Sequence, residues 1–326
     1  MPTPLHRLRW QRLDQPALSA MTTDQAWCRV QLYYPTVVLA EGRYRMWYLG
    51  NSTATRTADM CLGYAESADG LTWKPHAANP ILTAADLPFG SSWGSPHVIF
   101  DEEEGLFRMW FVSLAGRRSD EGRLVDIDQK LGCASSRDGL AWDVHPEPVH
   151  TEGHGPFVMK DGPGAWRMWM NSSPGPDGGF QKRVSHIYRF ESADGLSWRR
   201  DPEPMLSATE TRRSVIYPWV MRDPGGYTMW YASHVGECFF DIFCSTSEDG
   251  LSWTHLEEPV LPATRDPNDF DGRYTSTPCV LDDGDRYLMY YCTRDHGNLY
   301  GAGDGTVLSD RAGVYRHIGV AHCPKE

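Results

Sequence analysis

The chain has 326 residues, of which 40% are hydrophobic and 23% are charged, and its formal net charge at pH 7 is −12. This composition is typical of a globular protein, and the negative charge argues against nucleic acid or an anionic membrane as the main partner, because both bind basic surfaces. No apolar stretch approaches the length of a membrane-spanning helix, and the first ten residues lack the apolar core of a signal peptide. The eight scattered cysteines contain no CxxC pair, which favours reduced thiols in a cytoplasmic protein.

Five copies of one repeat unit follow one another along the chain. Each unit begins with a Pro-x-Val element, and successive prolines are 60 to 62 residues apart. An aromatic segment such as Tyr-Arg-Met-Trp-Tyr at 44–48 follows, and four of the units then carry Ser-x-Asp-Gly-x-x-Trp. The prolines are Pro35, Pro96, Pro156, Pro218 and Pro278, and the Ser-x-Asp-Gly-x-x-Trp segments begin at Ser67, Ser136, Ser192 and Ser247. Self-similarity at a fixed period indicates a repeat architecture such as a propeller.

Each unit predicts four short antiparallel strands. The first strand follows the proline, and a turn rich in Asp, Gly and Pro leads to the aromatic second strand. The third strand runs into the Asp-Gly pair, another hairpin signal, and the fourth begins at the repeat tryptophan. The Asp-Gly segment is reminiscent of the sialidase Asp box but lacks a residue between Asp and Gly, and we interpret it as structural rather than catalytic.

The two ends of the chain supply the strand that the last unit lacks. Residues 9–18 match fourth strands such as 252–261, and residues 315–322 match third strands. Pairing of these segments would leave no open sheet edge. The sequence therefore predicts an all-β fold, a five-bladed β-propeller with four-stranded antiparallel blades, in which the N-terminal strand closes the last blade and residues 1–326 form a single domain.

The working face of this propeller is predicted at the end that carries the longer loops, since long loops on a rigid scaffold concentrate binding and catalytic residues. The first strands line a central channel, and the residues beside each proline form two rings around it. The upper ring consists of Tyr34, Ser95, Gly155, Tyr217 and Thr277, and the lower ring of Thr36, His97, Phe157, Trp219 and Cys279.

The Pro-x-Val first strands, Arg-Met-Trp-Tyr second strands and Asp-Gly-x-x-Trp turns together resemble the five-bladed glycoside hydrolases and phosphorylases. That group includes the arabinanase/β-xylosidase type (family 43), the invertase/levanase type (family 32) and the β-mannoside phosphorylases (family 130). The resemblance covers the whole chain and implies an enzyme that hydrolyses, transfers or phosphorolyses a glycosidic bond of a small carbohydrate. The three carboxylates of the arabinanase- and invertase-like enzymes are not matched, because Tyr34, Gly155 and Ile216 stand at their positions.

A catalytic site must therefore be built from other residues. Glycoside cleavage needs one carboxylic acid to protonate the leaving oxygen and a second group as base or nucleophile. The carboxylates Asp271 and Glu152, in loops that enter first strands, are predicted to be the working pair, with Asp241 at the start of a third strand as a further candidate. For each of them a solvated loop carboxylate is the alternative interpretation.

The predicted binding residues are of three chemical kinds. Aromatic side chains offer apolar faces to sugar rings, arginines could bind phosphate or another anion, and two histidines face the channel. They are Tyr34, Trp93, Tyr217 and Tyr274, then Arg212 and Arg213, and then His97 and His154.

No cofactor is required by these predictions, although a divalent ion in the channel is an open option. The resemblance implies a supporting ion bound by a channel histidine, for which His317 is the candidate. Two alternatives to a glycoside-cleaving enzyme also stay open: a metal-dependent enzyme of another reaction class that uses the channel histidines, and a non-catalytic sugar-binding propeller.

Overall fold

The computed structural model describes residues 3–53, 58–120, 122, 124–175, 180–236, 239–297, 299–301, 307–309 and 314–325. Its regular structure is almost entirely β-strand, so the predicted all-β class is confirmed. One four-residue helix, α1 (Phe180–Arg183), and three short 3-10 segments (Leu5–Arg7, Ala26–Cys28 and Ala84–Asp86) complete the described elements. Within these residues, no helix is long and apolar enough to cross a membrane.

The first three repeat units each form an antiparallel sheet with four strands in chain order. They follow two short N-terminal strands, β1 (Gln11–Arg12) and β2 (Leu18–Ser19). The first sheet contains β3 (Gln31–Ala40), β4 (Arg43–Asn51), β5 (Cys61–Ser67) and β6 (Lys74–Pro75). The second contains β7 (Ser92–Asp101), β8 (Leu106–Arg118), β9 (Leu124–Ser136) and β10 (Asp143–Val144). The third contains β11 (His154–Gly162), β12 (Ala165–Asn171), β13 (His186–Ser192) and β14 (Arg199–Arg200), with β15 (Leu206–Ser207) beside β13.

The fourth and fifth units belong to one larger sheet, joined by a single parallel bridge between Phe240 and Tyr274. The fourth unit contains β16 (Ile216–Asp223), β17 (Gly226–Val235), β18 (Phe239–Ser247) and β19 (Thr254–His255). The fifth contains β20 (Tyr274–Asp282), β21 (Arg286–Arg294) and β24 (His317–Pro324), and the hairpin of β22 (Leu299–Gly301) and β23 (Val307–Ser309) lies between the last two.

The outer strand of the fifth unit comes from the other end of the chain. In the antiparallel pair of β1 and β24, Gln11 lies opposite His322 and Arg12 lies opposite Ala321. The short strand β2 pairs with the same β24. The predicted pairing of the two chain ends is therefore confirmed.

The first strands of the five units contact one another in a closed series: β3 with β7, β7 with β11, β11 with β16, β16 with β20, and β20 with β3. Each of them has a register shift at its proline. The residue before the proline has a positive φ in every unit, namely 60° at Tyr34, 40° at Ser95, 62° at Gly155, 63° at Tyr217 and 47° at Thr277. The sequence pattern did not predict this, because a residue before proline normally prefers extended backbone.

The Asp-Gly turns are held by their own side chains, as the structural interpretation predicts. The Asp69 carboxylate accepts hydrogen bonds from the backbone N–H of Leu71 (2.8 Å) and Thr72 (2.7 Å), and the Ser67 hydroxyl accepts one from Gly70 N–H (2.8 Å). Equivalent contacts are made by Asp138, Asp194 and Asp249.

Buried aromatic side chains connect three of the four Asp-Gly turns to the neighbouring unit. Trp47 Nε1 of the first unit donates to the carbonyl of Gly139 in the second (2.7 Å), and Trp110 Nε1 of the second donates to Gly195 in the third (2.8 Å). The Tyr290 hydroxyl of the fifth unit donates to Gly70 in the first (2.8 Å). These bonds link the last unit to the first.

Candidate functional site

A pocket of about 280 Å³, which we call the axial pocket, opens where the first strands begin. Its walls come from β3, β7, β11 and β16, from the extended hairpin of β8 and β9, and from three residues outside them: Arg183 of α1, Arg294 of β21 and Tyr315 before β24. The pocket therefore lies at the end of the ring of first strands, the position at which the sequence predicts a site.

Three tyrosines form the aromatic part of the axial pocket. The rings of Tyr33 and Tyr315 are stacked, with centroids 5.2 Å apart and an interplanar angle of 8°. Tyr217 meets the ring of Tyr34 edge-on at 5.4 Å. Burial raises the pKa of Tyr33 and of Tyr217, and raises that of Tyr315 to about 12, so all three phenols are neutral at pH 7. Such side chains offer an apolar face and a hydroxyl, the combination that suits a sugar ring.

The polar part of the pocket centres on Arg183 and His154. Arg183 Nη1 donates to the side-chain oxygen of Gln129 (2.6 Å), and Nη2 lies 3.8 Å from the Glu152 carboxylate. Burial, and then the charge of Arg183, lowers the pKa of His154 to about 3. The imidazole of His154 is therefore neutral at pH 7 and adds no charge to the pocket.

Below the prolines, three lower-ring side chains contact one another. Ring centroids lie 4.7 Å apart for His97 and Phe157, 5.2 Å for His97 and Trp219, and 4.9 Å for Phe157 and Trp219. His97 Nε2 lies 3.0 Å from the carbonyl of Val158, and burial lowers the pKa of His97 to about 4. Each of these rings stands two residues after the residue that precedes a first-strand proline, and none of the three lines the axial pocket.

Four of the predicted binding residues lie at or beside the axial pocket. His154 and Tyr217 line it, with ring centroids 5.2 Å apart. Tyr34 is buried behind Tyr217. Tyr274 does not line the pocket but contacts a residue that does, since its ring centroid lies 4.6 Å from the guanidinium carbon of Arg294.

The other predicted binding residues lie elsewhere. Trp93 is fully buried in the core, where it packs on Phe111 and donates to the carbonyl of Thr83 (2.7 Å). Arg212 lies flat on the ring of Phe243, 3.8 Å from its centroid, and donates to backbone carbonyls. Exposed Arg213 donates to the carbonyl of Gly236 (2.8 Å). His97 belongs to the rings below the pocket.

Two of the predicted catalytic carboxylates are buried in ion pairs. Asp241 accepts two hydrogen bonds from the Arg265 guanidinium, at 2.7 and 2.6 Å. Asp271 Oδ2 lies 3.2 Å from Arg12 Nε and accepts a hydrogen bond from the Tyr291 hydroxyl (3.1 Å). Burial raises the pKa of Asp271, and the charge of Arg12 opposes that shift. Asp271 lines a second pocket, of about 600 Å³, between the N-terminal segment and the loop before β20.

Glu152 is the predicted carboxylate that is connected to the axial pocket. It accepts hydrogen bonds from the Ser172 hydroxyl and from Arg200 Nη1 (3.1 Å), and it lies within ion-pair distance of the pocket-lining Arg183. Glu152 and Asp271 thus have separate sets of partners, one beside the axial pocket and one beside the second pocket.

His317 does not have the surroundings of a metal ligand. Its Nδ1 lies 2.9 Å from the Ser19 hydroxyl and its Nε2 lies 3.3 Å from the Asp295 carboxylate. Among the described residues, no three His, Cys, Asp or Glu side chains come together as a metal site would require. The residues present therefore do not fit the suggested ion, and the ion has no role in the chemistry proposed for this protein.

Sequence reasoning missed the two arginines that line the axial pocket. Arg294 stands four residues after Tyr290, and the equivalent positions after Trp47 and Trp230 carry Asn51 and His234. A comparison of the repeats at that position could have identified it. Arg183 lies in a loop helix outside the repeat pattern, so no periodic signal marks it.

No family model matches this chain. Two proteins of Mycobacterium tuberculosis, from strains H37Rv and CDC 1551 and both described as uncharacterised, are 33% identical to it over 139 residues. The match covers 41% of this chain and 44% of each of those proteins, so less than half of the relatives' length is represented.

Solved structures resemble the chain over nearly its whole length. A structure from the family 130 mannoside phosphorylases has a TM-score of 0.67 at 15% identity, covering 98% of this chain and 95% of that one. A thermostable family 43 glycoside hydrolase has a TM-score of 0.64 at 18% identity, covering 89% and 90%. The catalytic domain of the Coprinopsis cinerea family 62 α-L-arabinofuranosidase has a TM-score of 0.67 at 14% identity, covering 97% of both chains. The chain therefore has the β-propeller-like fold of the glycoside hydrolases that its sequence resembles.

Proposed function

We propose that this protein is a carbohydrate-active enzyme, a single five-bladed propeller domain that binds a sugar in the axial pocket and cleaves or transfers its glycosidic bond. The blade count is supported by five repeats, by the closed series of first-strand contacts and by the pairing of β1 with β24. A cytoplasmic location belongs to the same proposal. It is supported by the cysteines, since the seven in the described part of the chain are all free thiols.

The observation that carries the proposal is the aromatic and polar lining of the axial pocket. The stacked pair of Tyr33 and Tyr315 and the ring of Tyr217 supply apolar faces, and Gln31 and Gln129 supply groups that bind hydroxyls. Ligand sites usually combine such apolar walls with a few polar groups. A pocket of about 280 Å³ is small and suits about one sugar ring.

Glu152 is our candidate for the acid that protonates the leaving oxygen of a bond at the rim of the pocket. Its carboxylate lies beside Arg183, which lines the pocket. Asp271 is the alternative acid, for a bond bound in the second pocket, because its buried carboxyl group has a raised pKa. In either case a second group must act as base or nucleophile.

A non-catalytic sugar-binding propeller is the second candidate, and one observation favours it. Among the described residues that line the axial pocket there is no carboxylate. Asp241 and Asp271 are both engaged by arginines.

Kinetics on a panel of nitrophenyl glycosides, together with titration calorimetry of monosaccharides, test the proposal. We expect turnover by the natural sequence and a loss of about 10²–10⁴-fold in kcat in Glu152→Gln, with sugar binding retained. Exposed Glu102→Gln is the control for charge. If Asp271→Asn alone abolishes turnover, the acid is Asp271. Sugar binding without any turnover identifies the binding protein, and no binding of any sugar contradicts the proposal as a whole.

A further inference from the structure

We propose that the axial pocket takes an anionic sugar, whose carboxylate or phosphate group is bound by Arg183 and Arg294. This inference rests on the proposed function, in which that pocket is the sugar site. It starts from a contrast of charge: the whole chain has a net charge of −12, yet the described lining of this pocket contains two arginines and no carboxylate.

Arg183 is a largely buried cation without a close ion pair among the described residues, although the charges of Glu152 and Asp128 both act on it. Its side chain is 13% exposed, its hydrogen bond goes to the neutral Gln129, and its nearest ion-pair partner, Glu152, is 3.8 Å away. That carboxylate is shared with Arg200 and Ser172. Arg183 Nε has no hydrogen-bond partner among the described residues. Burial of a charge is unfavourable without close pairing, so an anion that enters the pocket would relieve this cost.

Arg294 forms another part of the wall and is held by aromatic rings. Its guanidinium lies 4.3 Å from the ring centroid of Tyr315 and 4.6 Å from that of Tyr274. These contacts with two aromatic rings restrict the position of the guanidinium before a ligand arrives. The planar guanidinium of arginine can donate two parallel hydrogen bonds to the oxygens of one carboxylate or phosphate group.

The remaining lining fits a sugar that carries the anion rather than a free inorganic ion. Val112, Leu114 and Ile127 of the β8–β9 hairpin make one side apolar. Apolar walls and tyrosine faces contact the C–H groups of a ring, whereas a bare phosphate has no such group to bury. His154 is neutral, so the two arginines are the positive groups of the lining.

Titration calorimetry with glucuronate, galacturonate, glucose 6-phosphate, glucose, galactose and inorganic phosphate tests the inference. We expect at least one anionic sugar to bind tenfold or more tightly than its neutral counterpart. Arg183→Gln and Arg294→Gln should each remove most of that preference, whereas Arg213→Gln, which loses the same charge from an exposed guanidinium outside the pocket, should keep it. Circular dichroism and thermal unfolding check that the variants fold. The variant Arg183→Lys provides a second comparison, because it keeps the positive charge but cannot form the bidentate hydrogen bonds of a guanidinium.

The different ligands and variants distinguish the possible outcomes of this experiment. Uronate binding without sugar phosphate binding identifies a carboxylate ligand, and the reverse identifies a phosphate ligand. Neutral sugars that bind as tightly as anionic ones, with affinity lost in Tyr217→Ala, overturn the inference and leave the proposed function standing. Inorganic phosphate that raises the affinity for a neutral sugar also overturns it, because the anion is then a separate molecule. If no sugar binds, both proposals fail.

Discussion

The residue before each first-strand proline has left-handed backbone, and the consequence is clearest at Gly155. A Cβ atom there would lie 3.1 Å from Cδ1 of Tyr217 and 3.1 Å from the hydroxyl of Tyr34. Two aromatic rings thus occupy the space that a carboxylate would need at this position. The glycine at this position and the two tyrosines beside it are therefore connected parts of one local arrangement.

Replacement of Gly155 by alanine tests this crowding. Gly155→Ala should cost about 1–2 kcal/mol for an L-residue at φ 62°, together with a further cost for displacing Tyr217, and it should weaken sugar binding. Gly42→Ala is the matched control, because Gly42 has φ 74° and nothing within 4 Å of the added Cβ. Urea unfolding and calorimetry measure both effects. Equal losses of stability in the two variants would show that the tyrosines are not crowded.

How far the sequence predicts this molecule depends on whether a residue belongs to the repeat. The strands, the turns and the pairing of residues 11–12 with β24 were predictable, since each has equivalents in other units. The axial pocket is different, because its walls include residues outside the repeat pattern, such as Arg183 of α1 and Ile127 of the extended β8–β9 hairpin. Trp93 shows the opposite error: an aromatic residue near a predicted site is a core residue here, since its indole N–H is satisfied by Thr83.

At the scale of the strand, the second strand of each unit joins its sheet to the neighbouring unit. Trp110, Trp169 and Trp230 are all fully buried, but their indole N–H groups differ. Trp110 donates to Gly195 of the next unit, whereas Trp230 Nε1 has no hydrogen-bond partner among the described residues. The fifth unit lacks an Asp-Gly turn that could offer Trp230 a carbonyl, but Trp169 Nε1 also has no partner among the described residues although the fourth unit has such a turn, so the missing turn does not by itself account for the difference.

This difference predicts unequal effects of the same substitution. Trp110→Phe and Trp230→Phe remove similar volume from buried sites, but only the first removes a hydrogen bond, after which the Gly195 carbonyl keeps Trp198 Nε1 as its indole donor. Trp110→Phe should therefore destabilise the protein by about 1 kcal/mol more than Trp230→Phe. Chemical denaturation of both variants measures the difference. Equal losses would mean that the bond from Trp110 to Gly195 does not contribute to the junction between units.

At the scale of the whole molecule, buried neutral histidines predict sensitivity to acid. Burial lowers the pKa of His97 to about 4 from an ordinary 6.5, so between those values the unfolded chain binds a proton that the folded protein does not. The contribution of His97 to the free energy of unfolding is therefore fully present above pH 6.5. It is lost as the pH falls toward 4, which lowers the free energy of unfolding by about 3 kcal/mol. Urea unfolding between pH 7.5 and 4.5 should show the fall, and His97→Gln should reduce it. An equal fall in the His97→Gln variant would contradict this assignment.

The two chain ends make the final test of the architecture. Deletion of residues 1–14 removes β1 and takes Arg12 away from the buried carboxylate of Asp271, leaving the part of β24 at Ala321 and His322 with an unpaired edge while β2 stays paired with Ile318 and His317. Loss of one partner of a buried ion pair destabilises strongly, and an open edge promotes association. We therefore expect a lower unfolding temperature and aggregation of the shortened chain.

A circular permutant separates the role of β1 from the role of chain continuity. New termini in the turn at 102–105, with the natural ends joined by a flexible linker, keep β1 beside β24 while breaking the chain between β7 and β8. The permutant should fold, keep the oligomeric state of the natural protein and unfold near the natural temperature, as measured by thermal unfolding and light scattering. If the deletion mutant is as stable as the natural protein and has the same oligomeric state, β1 does not close the fifth sheet in solution. If the permutant alone fails, the order in which the units are connected matters more than the pairing of the ends.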